Sequence, residues 1–508
     1  MSKFFCADQT ADGKYKLNYK HTVLTGFGFL ASSIAWAIYD PYITKILNRL
    51  LTESAVISSW SAKLNELFPA LAEFAKANGN DVSTVTGGIT LVPLFIGIIM
   101  TFDNIFGVIF QPTFGKLSDN THSRFGKRRP YVIFGAPVSA FLFVFIPIVA
   151  LKIGSIPLTM LFIILFVFVM SLWRAPVVAL MPDLTPNNLR SQGNSVINLM
   201  GGVGGALGLV AGKIVTVVYC TVTGQDSKAS TWDEFKTFPW VFLLGAVIMV
   251  IGMLVVLLCV KEPDSRLQYK AEMNKEIDEA ARRKAEKEAA KAEKKNRKKE
   301  VLTKGERTSL IFMLCALFFL FCGTNAVQTF FALFAEEILH KTTDDATIMT
   351  TAFAAASAVA AIPAGWLGKK FGRKKTILGG LVLIVSAFVT YLLTSATSVS
   401  GAFIWAALIF GGAANMLITV NTLPLVLEIG GTDKIGTFTG YYYTATFSAQ
   451  IATPIIYGMV RMFTGTYMSL FYYCPVAFVL SILCILFVKH GESVSDEVVE
   501  QIRMENED

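Results

Sequence analysis

The stretch GKLSDNTHSRFGKRRP, residues 115–130, is a short basic turn set between two long apolar segments, and it recurs in shortened form as GWLGKKFGRKKT, residues 365–376. A basic turn met twice in an otherwise apolar chain marks a helical membrane bundle built by duplication, whose halves rock against each other. Transport is the first function this suggests.

Working outward, composition narrows the class. Of 508 residues, 53% are hydrophobic and only 16% charged, with 40 Phe among them. A mean hydropathy of +0.54 exceeds what a soluble domain needs for its core. A bilayer-spanning helix takes about 20 apolar residues, and about twelve such runs follow one another along the chain. The expected fold class is an all-α membrane protein with about twelve transmembrane helices in two pseudo-symmetric six-helix bundles. The net charge of +8 does not point to nucleic acid, because Lys and Arg gather in a few loops rather than along one folded face.

The first six spans are expected at 21–47, 91–116, 131–151, 158–181, 191–219 and 240–260, and the second six at 309–334, 347–367, 376–394, 402–427, 436–463 and 470–489. This divides the chain into an N-terminal bundle (1–260) with an insertion at 51–88, a charged linker (261–307), a C-terminal bundle (308–489) and a tail (490–508). Lys116, Arg124, Lys127, Arg128 and Arg129 follow span two, and Lys369, Lys370, Arg373, Lys374 and Lys375 follow span eight. By the positive-inside rule both turns, both termini, the linker and the tail are expected on the cytoplasmic side of the cell's inner or plasma membrane, and the insertion at 51–88 on the extracellular side. The span that follows the N-terminal stretch is too long for a signal-peptide core and is expected to stay in the mature protein.

The insertion carries Leu64, Leu67, Phe68, Leu71 and Phe74 at helical spacing, which suits a small packed lid or a helix lying on the membrane surface. The linker interleaves Glu with Lys and is expected to form a solvated helix, with contact to anionic lipid as the alternative. Seven scattered Cys form neither a disulfide framework nor a metal-ligand pattern. NLMGGVGGALG in span five and AFAAASAVAAIPAG in span eight are small-residue stripes for close helix packing. With no GxxxxGK[ST] loop, no metal cluster and no nucleophile matched to a base, neither catalysis, ATP-driven pumping nor a cofactor is expected.

An ionised side chain at mid-bilayer costs at least about 2.5 kcal/mol, so charges inside the spans are where function is sought. Asp103 falls near the middle of span two, sharing a helix face with Gly107 and Gln111 and lying beside Asn104. Arg174 in span four either snorkels to the surface or grips Asp103 or a substrate oxygen. Asp40 in span one precedes Pro41 and is either a capping residue or a binding one. Lys45 and Lys213 sit close enough to span ends to snorkel. The second half offers neutral hydrogen-bonders instead: Asn325, Gln328, Asn415, Asn421, Thr422, Tyr441, Tyr442, Tyr443 and Gln450. Each alone is interhelical glue as readily as a ligand contact, but together they suit a polyhydroxylated substrate.

The span plan, the central linker and the paired basic turns resemble the major facilitator superfamily over essentially the whole chain. Within it, QPTFGKLSDNTHSRFGKRRPYVIFGAP (111–137) with RAPVVALMPDLTPNNLRSQGN (174–194) is similar to the glycoside-pentoside-hexuronide:cation symporters, above all their sucrose-transporter-like branch. The resemblance implies uptake of a sugar or glycoside driven by a cation gradient through alternating access. Arg174 takes the place of that branch's essential span-four arginine, and Asp119, Arg124 and Asp183 match a cytoplasmic gate to which Arg128, Arg190, Arg373 and Glu428 are added. The paired sodium-ligating acids of the melibiose branch are replaced by Gly107 and Gln111, and its span-four acid by Arg174, so a sodium site is not expected. The proton-carrying acid of plant sucrose carriers is replaced by Ile163. If a proton is used, Asp103 is the natural carrier, with Arg174 answering its charge and Asp40 available beside it.

The expected protein is therefore a monomeric, bilayer-embedded, proton-coupled importer of a disaccharide or short oligosaccharide. Trp36, Tyr39 and Trp173 are expected as stacking faces, with Asn104, Gln111, Arg174, Asn325, Gln328, Asn421, Tyr442 and Gln450 as polar contacts. The alternatives are a carrier or exporter of another organic solute and, from a different class, a sugar sensor that signals through the linker.

Overall fold

The structure, a computed structural model, describes residues 5–9, 15–78, 88–186, 189–229, 231–262, 304–395, 400–429 and 435–489. A hairpin of β1 (Ala7–Gln9) and β2 (Tyr15–Leu17) leads into α1 (Tyr19–Thr52), then the short α2 (Ala55–Leu67) and α3 (Pro69–Asn78). The first half continues with α4 (Val92–Asp119), α5 (Arg129–Ile148), α6 (Ile156–Leu184), α7 (Arg190–Thr223) and α8 (Phe238–Cys259). The second half holds α9 (Lys304–Glu337), α10 (Thr343–Phe371), α11 (Arg373–Thr394), α12 (Ser400–Ile429), α13 (Ile435–Thr464) and α14 (Leu470–Leu486). Among the described residues ten helices are long and apolar enough to cross a membrane, and α10, bent by 49° where Pro363 interrupts it, makes an eleventh. The helix α13, with Tyr and Thr along its first turns, is long enough but is not among those ten.

Two compact units emerge. One holds Met1–Ile46 and Phe102–Val301, the other Leu47–Thr101 and Leu302–Asp508. The division departs from the sequential one expected from the linker, because the insertion and the first part of α4 pack with the second half. Gly97 abuts the Pro454 carbonyl, Gly458 abuts that of Pro93, and Thr101 donates to Ile451 O at 3.1 Å. The linker between 263 and 303 and the tail from 490 onward lie outside the described residues.

In the first unit an aromatic column ties α1, α5, α6 and α8: Phe143 lies 5.0 Å from Phe166 and 4.4 Å from Phe242, and Tyr42 lies 4.8 Å from Phe238. The glycine stripe of α7 does the packing expected of it, with Gly204 against Leu30 O and Gly208 against Ile34 O. The second unit gathers around Phe471, with the rings of Tyr391, Phe334 and Phe388 at 4.4, 4.9 and 5.0 Å. Outward-facing Phe134, Leu199, Val222 and Leu258 are highly exposed, as lipid-facing side chains must be.

The insertion packs through one face only. Ala75, Ile89 and Met462 form a buried cluster, Asn65 bonds the backbone of Ile89 in both directions, and Gly465, at φ +77°, lets the Ala75 carbonyl approach the end of α13. Its other face leaves Trp60, Leu67, Phe68 and Phe74 exposed.

At the end opposite its basic turn, each half is closed by a buried ion pair between its first helix and either the turn joining its fifth and sixth helices or the last turn of the fifth. In the first unit Lys45 on α1 pairs with Glu234 at 3.0 Å, with 3% and 13% of the two side chains exposed. Lys45 therefore does not snorkel as expected, because a carboxylate meets it inside the protein. In the second unit the charges are exchanged: Glu337 on α9 accepts from Arg461 Nη2 at 2.7 Å and also from Thr466 Oγ1 and the Tyr467 amide. Removing one partner of a buried pair strands the other charge, at a cost of about 3–5 kcal/mol, whereas replacing both by apolar groups is often neutral. Glu337→Ala should accordingly lower the thermal unfolding midpoint of the purified protein strongly, and adding Arg461→Met to Glu337→Leu should restore most of the loss.

Candidate functional site

The charged interior lies in the first unit and is built from three helices. On α1, Ser32, Trp36, Tyr39 and Asp40 fall on one face at helical spacing. The helix α6 supplies Phe166 and Arg174, and α4 supplies Asp103 with Asn104. Tyr39 is fully buried and stacked on Phe166 at 5.6 Å, and Trp36 meets the Tyr39 ring edge-on at 5.3 Å. The Arg174 guanidinium sits 5.6 Å over the Trp36 ring, a cation–π contact.

Arg174 is within electrostatic reach of both Asp40 and Asp103, yet among the described residues no carboxylate lies within 4.0 Å of it. Asp103 Oδ1 accepts from the next amide, Asn104 N, at 2.6 Å. The Ser32 hydroxyl, Trp36 Nε1 and the Tyr39 hydroxyl are buried with no hydrogen-bond partner among the described residues. A buried donor left unpaired costs about 1–3 kcal/mol, and these three lie on one face of α1. Ser32 and Phe166 were not anticipated, although Ser32 stands one helical turn before Trp36. Gln111 places its amide over Gly107, 3.3 Å from where a Cβ would stand.

Trp173 does not offer the open stacking face expected of it. It is fully buried between α5 and α6, its indole N–H donates to Ser139 Oγ at 3.0 Å, and Gly135 leaves it room. Neighbouring positions on a helix point about 100° apart, so Trp173 is consumed by packing while Arg174 turns into the interior. In the second unit Asn421 donates to Ala364 O at 3.1 Å and Leu417 O at 2.8 Å, binding α12 to α10. Asn325 Nδ2 is buried with no partner among the described residues, Tyr442 is buried beside Tyr443, Gln450 is half-buried, and Gln328 is exposed.

The basic turns are organised by the same joint in each unit. Arg128 reaches Asp183 at the end of α6 at 2.7 Å, and also Asp119 and Ser118, while Arg129 caps the Leu257 carbonyl near the end of α8. In the second unit Arg373 pairs with Glu428 at the end of α12, and Lys374 caps the Val488 carbonyl beyond α14. An arginine to the fourth helix is thus followed by a cation on the last carbonyls of the sixth. Arg124 stands apart, 4.7 Å over the Phe125 ring, and the Arg190 side chain lies outside the described residues.

Glu262, unanticipated, completes the first joint. Its carboxylate accepts from the amides of Lys127, Arg128 and Arg129 at 2.6 to 3.1 Å, capping α5 from the end of α8, with Gly126 at φ +97° pressed against it. Burial pushes the Glu262 carboxyl above the ordinary glutamate range, with a smaller push from Asp183, against the pull of the three amides.

The family model of the Major Facilitator Superfamily matches residues 22–454 and 313–503. The chain is 32% identical over 152 residues to an uncharacterized MFS-type transporter of Schizosaccharomyces pombe, which is 30% of this chain and 33% of that protein. It is 28% identical over 145 residues to the human membrane-associated transporter protein, 26% of this chain and 27% of that one. The matches thus span a third or less of these relatives' length. Among solved structures, the xylose transporter from E. coli, partially occluded and inward-open, superposes with a TM-score of 0.59 at 16% identity, over 93% of this chain and 98% of that one. A nucleoside transporter superposes with a TM-score of 0.56 at 13% identity, over 93% and 100%.

Because Glu262 protonates more readily folded than unfolded, the fold bears a desolvation cost while it is ionised, and that cost disappears as pH falls. Glu262→Gln, which keeps an acceptor without the charge, should match or exceed the wild type in thermal stability near pH 7.5, and this advantage should vanish on acidification. Glu262→Ala, which strands the amides, should lose about 1–3 kcal/mol at either pH. Unfolding midpoints of the purified variants at two pH values test both.

Proposed function

This chain belongs to the Major Facilitator Superfamily, and on that footing we propose that it is a proton-coupled symporter importing a glycoside, a disaccharide or short oligosaccharide, by alternating access. It is a multi-pass membrane protein and a carrier, not an enzyme. Within the superfamily, the SRFGKRRP element and the span-four arginine favour the glycoside-pentoside-hexuronide:cation symporters and their sucrose-transporter-like branch.

The observation that carries this reading is the interior of the first unit, where two carboxylates on different helices face one guanidinium beside unpartnered donors. With both acids ionised the cluster holds one negative charge more than it holds positive. One bound proton balances it, which is what a proton carrier requires of a desolvated site. Asp103 takes the proton, Asp40 shares the field, and Arg174 answers whichever charge remains. Trp36 and Tyr39 present N–H and O–H donors together with aromatic faces, the combination that suits the ring oxygens and apolar faces of a sugar. A D-xylose–proton symporter built on the same fold agrees with this reading.

In the second unit, Asn325, Tyr442 and Gln450 offer sugar contacts of that unit's own. The clusters around Arg128 and Arg373 act as gates on the cytoplasmic side, where the basic turns place them by the positive-inside rule, in the plasma membrane with both termini inside. The carrier works as a monomer and without a cofactor.

External pH, followed at fixed sodium while sucrose, maltose and longer oligosaccharides are added to expressing cells, tests the reading. Alkalinisation on adding one of these sugars is expected, lost in Asp103→Asn while sugar exchange survives. No pH change with any sugar, together with sodium-stimulated uptake or no uptake, would refute the proton mechanism.

A further inference from the structure

At the end marked by its basic turn, the second unit carries a groove of about 330 Å³, lined by Leu367 and Phe371 at the end of α10, Gly379 and Gly380 near the start of α11, and Leu417 of α12. The two glycines make the room. Gly380 sets α11 close against Ala414 O and Ile418 of α12, and a Cβ at Gly379 would meet nothing within 4 Å. The depth of the groove in the bilayer follows from α11, a candidate span that begins at Arg373. Lys375 stands in its first turn, at the level of the headgroups, and Gly379 one turn deeper, among the acyl chains. Val382, on the helix face of Lys375 and Gly379, is 55% exposed, and Trp366 and Phe371 at the end of α10 are exposed to the same degree, so the groove opens to lipid.

Five cations occupy this turn, and the joint consumes two of them, Arg373 on Glu428 and Lys374 on the Val488 carbonyl. In the first unit the residue after the matching pair Arg128 and Arg129 is Pro130. Here it is Lys375, which lines the groove and has neither an acid nor an acceptor among the described residues. Lys370 Nζ lies 4.7 Å from the Trp366 ring and 5.4 Å from that of Phe371, so a second ammonium stands beside a ring of the groove. The remaining polar side chain of the lining, Thr376, donates its hydroxyl to Gly372 O at 2.9 Å. The one unspent side-chain donor of the lining is therefore the Lys375 ammonium. An apolar slot headed by unbalanced positive charge at headgroup level is complementary to a phospholipid of net negative charge. A phosphatidylcholine head brings a cation of its own to the same place.

We infer that this groove binds an anionic phospholipid of the leaflet at the basic turns. Lys375 and Lys370 hold its phosphate, and one acyl chain lies along Leu367, Gly379, Gly380 and Leu417. The site requires only that the chain span a bilayer, and so depends on neither the solute nor the coupling ion.

The test uses the purified full-length protein in phosphatidylcholine nanodiscs holding a trace of phosphatidylglycerol with a photoactivatable group midway along one acyl chain, with labelled peptides mapped by mass spectrometry. Label is expected within residues 366–380 and 414–418, severalfold above that on other exposed helices such as α8. A phosphatidylcholine probe with the same chain should show no such enrichment. Lys370→Gln combined with Lys375→Gln should reduce phosphatidylglycerol labelling severalfold, whereas Lys16→Gln combined with Lys20→Gln, which removes equal charge from the first unit, should not. Gly379→Leu, which fills the groove where a side chain has open space, should reduce labelling severalfold with every charge intact. Label spread evenly over the lipid-facing helices would overturn the proposal, as would equal enrichment of the two probes. The two probes are compared in the wild type, so that result stands even if a variant misfolds.

Discussion

Two adjacent cations at the head of the third helix of each half hold that half's lipid-shielded helices at one end. Arg128 and Arg373 go to the acid at the end of the fourth helix, and Arg129 and Lys374 go to the last carbonyls of the sixth. A helix leaving a bilayer exposes carbonyls that no further turn satisfies, and its dipole puts negative charge there. One dipeptide therefore answers a carboxylate and a helix terminus at once. Glu262 works in the opposite sense, putting an anion on the free amides at the head of α5. The third and sixth transmembrane helices of the first half are thereby tied in both directions across their ends.

At the opposite end each unit uses a single buried ion pair, and the charges are exchanged between the halves: Lys45 with Glu234, and Glu337 with Arg461. That the same joint survives with its signs reversed indicates that the constraint is electrical neutrality in a desolvated place, not the identity of either residue. Such pairs contribute little net stability against apolar substitutes. They do penalise any packing that separates the partners, and that penalty makes the helix arrangement specific.

The interior of the first unit differs in that its guanidinium is not in an ion pair and several unpartnered donors share one helix face beside it. Arg174 rests on the Trp36 ring without a carboxylate in contact, and Trp36, Tyr39 and Ser32 hold buried polar atoms that nothing among the described residues meets. Structural charges in this protein find partners, as Lys45, Arg128 and Arg461 do. The unpartnered donors on α1 beside Arg174 are the observation on which the proposed solute and proton site rests.

By itself the amino-acid sequence determined the class, the order and the approximate limits of the helices, and the place of the two basic turns. In a bilayer every backbone group must be satisfied within its own helix, so the length of an apolar run alone reports a span. It also marked Asp40, Asp103 and Arg174, because a charge in oil is conspicuous at any alignment. Only the tertiary structure decided which polar groups meet. Arg461 finds Glu337 across 124 residues, and Lys127 finds Glu262 across 135. Trp173 and Arg174 are neighbours in the chain, yet one is locked against Ser139 and the other faces the interior. Even the division into units followed contacts, since glycines on α4 and α13 let the insertion and the first part of α4 join the second half. Hydropathy is a local property and is legible residue by residue. Partner choice depends on which helix faces come together, and no spacing along one chain encodes that.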